Sequence, residues 1–286
     1  MPAEVKEIKE RKSKVIVKLR DNRQLESDFL ILAEGITGRL YKQIGYYGNR
    51  EWTMALEVDV FLDKIPNMFS NSTLFDFGFF KKGYAWIFPK NDHLNIGAYY
   101  YFLPSIDRTQ IKDLELFVKG FRWANQGKIG KIKAYPLPYK VNYAKFNTDR
   151  TLLVGDAAGA VDNFYGEGLY YGFLSSKLAS EVLIECFNNG SIDSYTKKLK
   201  KIILSQIKFS RLIAKLFYNY QRLGYYYLVR NKLMNNFYLK LIHGEATLKN
   251  VFFYTVAMFP FSFFYPNLDS LNFSEIDRYD ISHCRL

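Results

Sequence analysis

The sequence predicts a mixed α/β (α+β) chain with a parallel-sheet part, an antiparallel sheet and a helical C-terminal region. Three observations predict it. Two apolar strand-like runs, Phe29–Ala33 and Thr151–Val154, each lead into a glycine turn. Short β-rich stretches fill the segment from Trp52 to Tyr101, and helical spacing dominates from Asp193 onward. The length of 286 residues allows about two domains. The segments divide as 1–50, 51–148, 149–190 and 191–286, with the first and third expected to belong to one domain.

In order along the chain, Val15–Leu19 reads as a strand, Asp21-Asn22-Arg23 as a turn, and Phe29–Ala33 as a second, uniformly apolar strand ending at Gly35. An unbroken apolar run suits a strand covered on both faces, as in a parallel sheet, and by pattern alone also suits a buried helical turn. Met54–Phe61, Thr73–Phe80, Tyr84–Phe88 and Leu94–Tyr101 have the lengths and spacing of an antiparallel sheet. Asp107–Gln126 is expected to be one amphipathic helix. Thr151–Val154 is followed by a glycine-rich turn and a helical stretch from about Gly168 to Cys186, and helices are then expected over 193–220, 224–243 and 246–258.

Composition narrows the function. Hydrophobic residues make up 49% of the chain, with 25 Phe and 23 Tyr, which argues against disorder and for large apolar surfaces that bind something apolar. The formal charge of +12 favours acidic partners: nucleic acid, anionic lipid headgroups or a phosphorylated substrate. Nucleic acid ranks low among these, because the basic residues are spread along the chain and no nucleic-acid module is visible. Cys186 and Cys284 have no paired spacing, so no disulfide framework is expected, in keeping with a cytoplasmic chain. His93, His243 and His283 match no metal spacing. The first 20 residues lack a signal-peptide core, and Val251–Tyr265, interrupted by Pro260, is too short to span a bilayer but suits peripheral membrane contact. Lys197-Lys198-Leu199-Lys200-Lys201 is most simply a solvated helix face, and with the aromatic tail it also suits an anionic membrane.

The strongest motif is Leu152-Leu153-Val154-Gly155-Asp156-Ala157-Ala158-Gly159, continued by Gly166-Glu167-Gly168-Leu169-Tyr170-Tyr171-Gly172. Small residues let a backbone approach a ligand closely, and the amide groups opening a helix can face an electron-rich group. Taken singly, the same residues cap a helix and make a tight turn. The second motif is Tyr84-Ala85-Trp86-Ile87-Phe88-Pro89 with Gly97 downstream. On a strand, Tyr84, Trp86 and Phe88 share a face, either as a wall for a hydrocarbon or as an ordinary sheet face buried under a helix. The third is Leu30-Ile31-Leu32-Ala33-Glu34-Gly35-Ile36-Thr37-Gly38.

Together these stretches, over roughly residues 1–190, resemble the flavoprotein hydroxylase superfamily, and in particular the geranylgeranyl reductases. The resemblance implies a partial FAD-binding Rossmann-like domain with an antiparallel-sheet substrate domain. It implies that Gly155, Asp156, Ala157 and Gly159 contact the ribityl or phosphate part of FAD, and that Gly166, Gly168 and Leu169 approach the ring. Glu34 and Gly35 belong to the same cofactor site, while Tyr84, Trp86, Phe88, Pro89 and Gly97 line an isoprenoid cavity. The implied activity is reduction of carbon–carbon double bonds in an isoprenoid lipid, with electrons reaching FAD from NAD(P)H or another donor. Departures from the family pattern are Asn163 for proline, Tyr99 for a second glycine, Glu34 for aspartate and Gly38 for serine.

No Gly-x-Gly-x-x-Gly follows an N-terminal strand, so the pyrophosphate site is expected to be missing and FAD binding by this chain alone to be weak. A truncated gene product, a split enzyme with a separately encoded N-terminal half, and a relic of the fold each account for that. Two other readings compete. One is a non-catalytic lipid-binding or structural remnant, and the other is a flavin-dependent hydroxylase or halogenase, which the Tyr84–Pro89 segment disfavours.

Overall fold

A computed structural model describes residues 3–46, 48–189, 191–231, 234, 236, 240–241 and 245–259. His243, His283, Cys284 and the stretch 260–265 of the greasy run lie outside the described residues. The chain divides into two compact units, residues 1–52 with 137–208, and residues 53–136 with 209–286.

In the first unit, Val5–Glu10 (β1), Val15–Leu19 (β2) and Gln24–Ser27 (β3) form an antiparallel sheet that buries Ile8, Val15 and Leu19. Asn22 makes the β2–β3 turn at φ 67, a left-handed conformation that asparagine tolerates. The strand after the turn is thus β3, which the apolar pattern misses because all four of its residues are exposed. The apolar run forms Leu30–Leu32 (β4), paired in parallel with Thr151–Leu153 (β11), with Leu30 opposite Thr151 and Leu32 opposite Leu153. Parallel pairing follows the expectation from uniform apolarity. The cover is uneven, since Leu32 is buried while Ile31 is 41% exposed.

The second unit holds most of a six-stranded sheet whose path runs Lys133–Tyr143 (β10), Gly48–Phe61 (β5), His93–Tyr100 (β8), Gly83–Pro89 (β7) and Leu74–Asp76 (β6), with residues 48–52 of β5 and 137–143 of β10 belonging to the first unit. Lys128–Ile129 (β9) pairs with β5 off this path. Strand alternation divides the sheet into two faces. Leu56, Val58, Val60, Ala85, Ile87, Leu94, Ile96 and Ala98 form the core face and pack with Leu114, Phe117 and Val118 of helix Arg108–Lys119 (α1).

Asp107 starts α1 through a capping box, accepting from the Thr109 amide while the Gln110 side chain accepts from the Asp107 amide. The helix stops at Lys119, short of the expected Gln126. Phe121 leaves helical geometry at φ −99, ψ 125 and packs its ring on Phe117 and Trp123, and a separate 3-10 turn covers Arg122–Gln126. The strand expected over 73–80 is likewise cut to β6, because the Asp76 carboxylate turns back to accept from the Gly78 and Phe79 amides at 2.9 and 2.8 Å. At the other edge of the sheet, β10 carries Pro136 and Pro138 two residues apart.

Further helices among the described residues include Leu169–Asn189 (α2), Ser194–Leu199 (α3), Ser205–Asn219 (α4), Gln221–Gly224 (α5) and Leu248–Met258 (α6). A π-helical turn, Lys200–Leu204, separates α3 from α4. Among the described residues no helix is long and apolar enough to cross a membrane, and no group of three or more His, Cys, Asp or Glu could hold a metal ion.

Candidate functional site

β11 delivers the chain into the glycine loop of the first unit. Val154 is extended, and a 3-10 turn over Gly155–Ala158 ends at Gly159. Gly155 and Gly159 have φ 57 and 70, where a β-carbon is strained, and at Gly159 it would also meet the Val141 side chain at 2.8 Å. The Gly155 amide donates to Ser175 Oγ at 2.9 Å, and that hydroxyl donates to the Gly172 carbonyl at 2.8 Å. Ser175 is fully buried, so it ties the loop to α2, a role its sequence position does not disclose. A β-carbon on Gly168 would lie 3.5 Å from Asp156 Oδ1, and one on Gly155 would lie 3.9 Å from Gly172 Cα. The structure therefore brings Gly155, Asp156, Gly168 and Gly172 together. Asp162 accepts from the Phe164 amide at 2.6 Å, the Gly166 amide donates to the Asp162 carbonyl at 2.9 Å, and the Glu167 carboxylate accepts from Tyr170 N–H at 2.8 Å. These bonds shape the turn that opens α2, from which Leu169 and Phe173 project 78% and 76% exposed.

The Asp156 carboxylate makes no hydrogen bond or ion pair among the described residues, and burial pushes its pKa above the usual aspartate range. It does not cap the 3-10 turn that it opens. The sign of the consequence follows from linkage. With the folded pKa raised, the stability gained by protonation is full below about pH 4 and is lost as pH rises through the folded value. Asp156→Asn, which never ionises, is therefore expected to match the parent near pH 4 and to become the more stable chain toward neutral pH in urea titrations without ligand. A variant less stable than the parent at neutral pH would make Asp156 a structural residue instead.

Glu34 and Gly35 lie in the loop after β4. The Glu34 carboxylate accepts from the Leu40 and Tyr41 amides at 2.8 and 3.1 Å and pairs with Arg50 at 3.6 Å. Arg50, missed in the sequence reading, is the hub. Its guanidinium donates to the carbonyls of Gly35, Ile36 and Gly38 at 3.3, 3.2 and 3.0 Å, to that of Ala157 at 3.2 Å, and to the Tyr143 hydroxyl. It also stacks 3.6 Å above the centre of the Tyr41 ring. The arginine thereby joins the Glu34–Gly38 loop to the glycine loop after β11. Gly35, at φ 70, has open space where a side chain would begin.

A β-carbon at Gly38 would fall 2.2 Å from Glu34 Cδ. The two departures from the family pattern in this loop are thus sterically linked, the longer carboxylate filling the room of a residue-38 side chain. Gly38→Ser is expected to cost about 1–3 kcal/mol as an overpacked site. Adding Glu34→Asp should recover at least about 0.5 kcal/mol in a double-mutant cycle read by urea unfolding, and additive losses would sever the link.

In the second unit, Tyr84, Trp86 and Phe88 share the sheet face opposite the core. Trp86 lies 6.0 Å from Tyr84 and 5.9 Å from Phe88, centroid to centroid, and Phe75 of β6 joins both Tyr84 and Phe88. The Trp86 indole N–H donates to Asn95 Oδ1 at 2.8 Å, and Asn95 donates in turn to Asp59 at 2.9 Å and Glu57 at 3.3 Å. Gly97 faces Trp86 across the strand pair, and a β-carbon there would lie 2.1 Å from the indole ring, so glycine makes room for the ring. Tyr99 takes the space of the expected second glycine; it is buried, paired with Tyr84, and packs on Tyr218 of α4. The wall is closed at its Tyr84 end and half-exposed at Trp86, Phe88 and Pro89.

The chain is 28% identical over 190 residues to the geranylgeranyl diphosphate reductase of Synechocystis, an alignment covering 63% of this chain and 44% of that protein. It spans about half the length of the curated relatives it matches. Its structure matches a geranylgeranyl bacteriochlorophyll reductase-like protein from Thermoplasma acidophilum with a TM-score of 0.62 at 20% identity, covering 76% of this chain and 57% of that one. It matches a flavin-dependent halogenase from Brevundimonas at 0.57 and 12% identity, over 74% and 43% of the two chains. No family model matches the chain.

Proposed function

We propose, for a chain that is a relative of the geranylgeranyl reductases and shares their fold, that it forms part of an FAD-dependent oxidoreductase reducing carbon–carbon double bonds of an isoprenoid chain. The observation that carries the reading is the unpartnered, half-buried Asp156 carboxylate held against Gly168 in the glycine loop. A carboxylate partly withdrawn from water and without a protein donor is left poorly satisfied, and a ligand hydroxyl can supply the missing hydrogen bond. The ribityl hydroxyls of FAD are donors of that kind, and the open space beside Gly35 and Gly172 leaves room for a flat, polar molecule. The residues present fit the cofactor.

Bound there in its reduced state, FAD would supply the hydride. In the same reading Asp156 accepts from the ribityl chain and holds it in register, Gly155, Ala157 and Gly159 admit its close approach, and Gly166, Gly168 and Leu169 border the ring. Trp86, Phe88 and Pro89 offer the isoprenoid an apolar, half-exposed strip, with the Asn95 bond fixing the indole plane. Burial of the alkene on that strip excludes water from it.

The test is the visible absorption spectrum of the purified chain titrated with FAD, alone and co-expressed with any segment encoded upstream. Bound flavin in either preparation, lost in Asp156→Ala, is the expected result. A second reading, a lipid-binding remnant, draws on the same half-exposed aromatic strip. Its signature would be flavin bound in neither preparation together with Trp86 fluorescence that still responds to a geranylgeranyl lipid.

A further inference from the structure

Lys145, Lys197, Lys200 and Lys201 line one hollow of about 700 Å³ in the first unit, with Asn147 and Thr196 also in its wall. We propose that this hollow is a binding site for a phosphate-bearing anion, separate from the flavin and isoprenoid residues and independent of that reading.

The sequence alone gives the bland interpretation, a lysine run on a wet helix. The structure separates the run into two sets. Lys198 turns to Glu185, with Nζ 2.7 Å from Oε2, and does not line the hollow. Lys197, Lys200 and Lys201, at positions i, i+3 and i+4, share the other face where α3 passes into the π-helical turn. Such turns occur often at functional sites. Lys145 reaches the same hollow from the segment between β10 and β11.

None of these four ammonium groups is in an ion pair among the described residues. Lys200 Nζ instead donates to the Ala144 carbonyl at 2.7 Å and lies 6.0 Å from the centre of the Phe146 ring, contacts that fix its direction without pairing it to a carboxylate. Among the described residues Asp193 is the one carboxylate in the lining, and it accepts from the Ser191 hydroxyl at 2.8 Å. Four like charges around a concavity repel one another and raise the local potential for an anion.

The wall is also preorganised. The buried Asn147 side chain accepts from the Thr196 amide at 3.2 Å and from the Thr196 hydroxyl, while the Phe146 amide donates to Thr196 Oγ1 at 2.8 Å. The Lys145 segment and the Lys197 segment are thereby locked together without a ligand. Lysines act as point charges suited to phosphate oxygens, and several around one hollow suit a diphosphate or a phospholipid headgroup better than a single carboxylate.

The experiment uses the full chain with two probes: inorganic diphosphate by calorimetry at low salt, and cosedimentation with phosphatidylcholine vesicles with and without phosphatidylglycerol. The Lys145→Gln, Lys197→Gln, Lys201→Gln variant is expected to bind at least about tenfold more weakly, since it removes three of the four charges that face the anion. A control with the same loss of charge, Lys112→Gln, Lys119→Gln, Lys131→Gln, should bind as the parent does, and Lys197→Glu alone should repeat the loss if the triple variant folds poorly by circular dichroism. A loss confined to diphosphate identifies a soluble phosphoanion, and a loss confined to phosphatidylglycerol vesicles identifies a headgroup. Failure of the parent to bind either probe, equal binding by parent and triple variant, or an equal loss in the control would overturn the proposal.

Discussion

Arg50→Leu is expected to lower the stability of the chain by about 3–5 kcal/mol, a large part of the ~5–15 kcal/mol that holds a typical domain together. The side chains of Arg50 and Glu34 are only 4% and 9% exposed, so removing the guanidinium strands a buried carboxylate. It also removes the donor serving four backbone carbonyls, those of Gly35, Ile36, Gly38 and Ala157, and the cation stacked on Tyr41. Two terms add here, the unpaired charge and the unsatisfied carbonyls. Glu34→Gln in the same background removes the first, while its one amide oxygen keeps a single backbone bond, because the Leu40 and Tyr41 amides donate to different oxygens of Glu34. The double variant should therefore be more stable than Arg50→Leu alone, with both read as urea midpoints. A loss below about 1 kcal/mol for Arg50→Leu would mean that the loops after β4 and β11 hold their shape without the arginine.

Gly97→Ala carries the second large effect. The new methyl would meet the Trp86 ring at 2.1 Å and the Leu56 carbonyl oxygen at 2.5 Å, and neither can yield cheaply. The carbonyl belongs to the β5 neighbour of the same strand, and the indole is held by its bond to Asn95. The expected cost is about 1–3 kcal/mol or more. Because the ring is the softer of the two neighbours, a red-shifted Trp86 fluorescence should accompany it. The same substitution tests the proposed substrate strip, since displacing the indole should weaken binding of an isoprenoid even under conditions where the variant is fully folded.

Much of the architecture was legible because the relevant patterns are local. The apolar strands that become β4 and β11 and the antiparallel stretches that become β5, β7 and β8 follow from local runs and alternation, whereas the pairing of β4 with β11 and the order of the sheet do not. The boundaries that failed depend on one side chain overriding its neighbours: Asp76 ends β6 by capturing two amides, and Phe121 ends α1 by burying its ring. β3 was invisible because all four of its residues are exposed and Leu25 alone among them is apolar, so no alternation marks it. In the candidate site, Asp156 and its glycines announce themselves by spacing. Arg50 and Ser175 do not, because their importance comes from partners 107 and 20 residues away in the chain. The fold itself is shared with a flavin-dependent halogenase, so the chemistry rests on the site rather than on the architecture.

The two margins of the six-stranded sheet bear on how the protein behaves at high concentration. A long sheet with open margins invites a second molecule to add its own strand, the first step toward fibrils. Here β6 offers only three residues before Asp76 turns the chain away, and β10, although long, lacks two amide donors at Pro136 and Pro138. Neither margin presents a continuous ladder, so this aromatic-rich chain should resist self-templating through that sheet while keeping the Trp86 strip accessible.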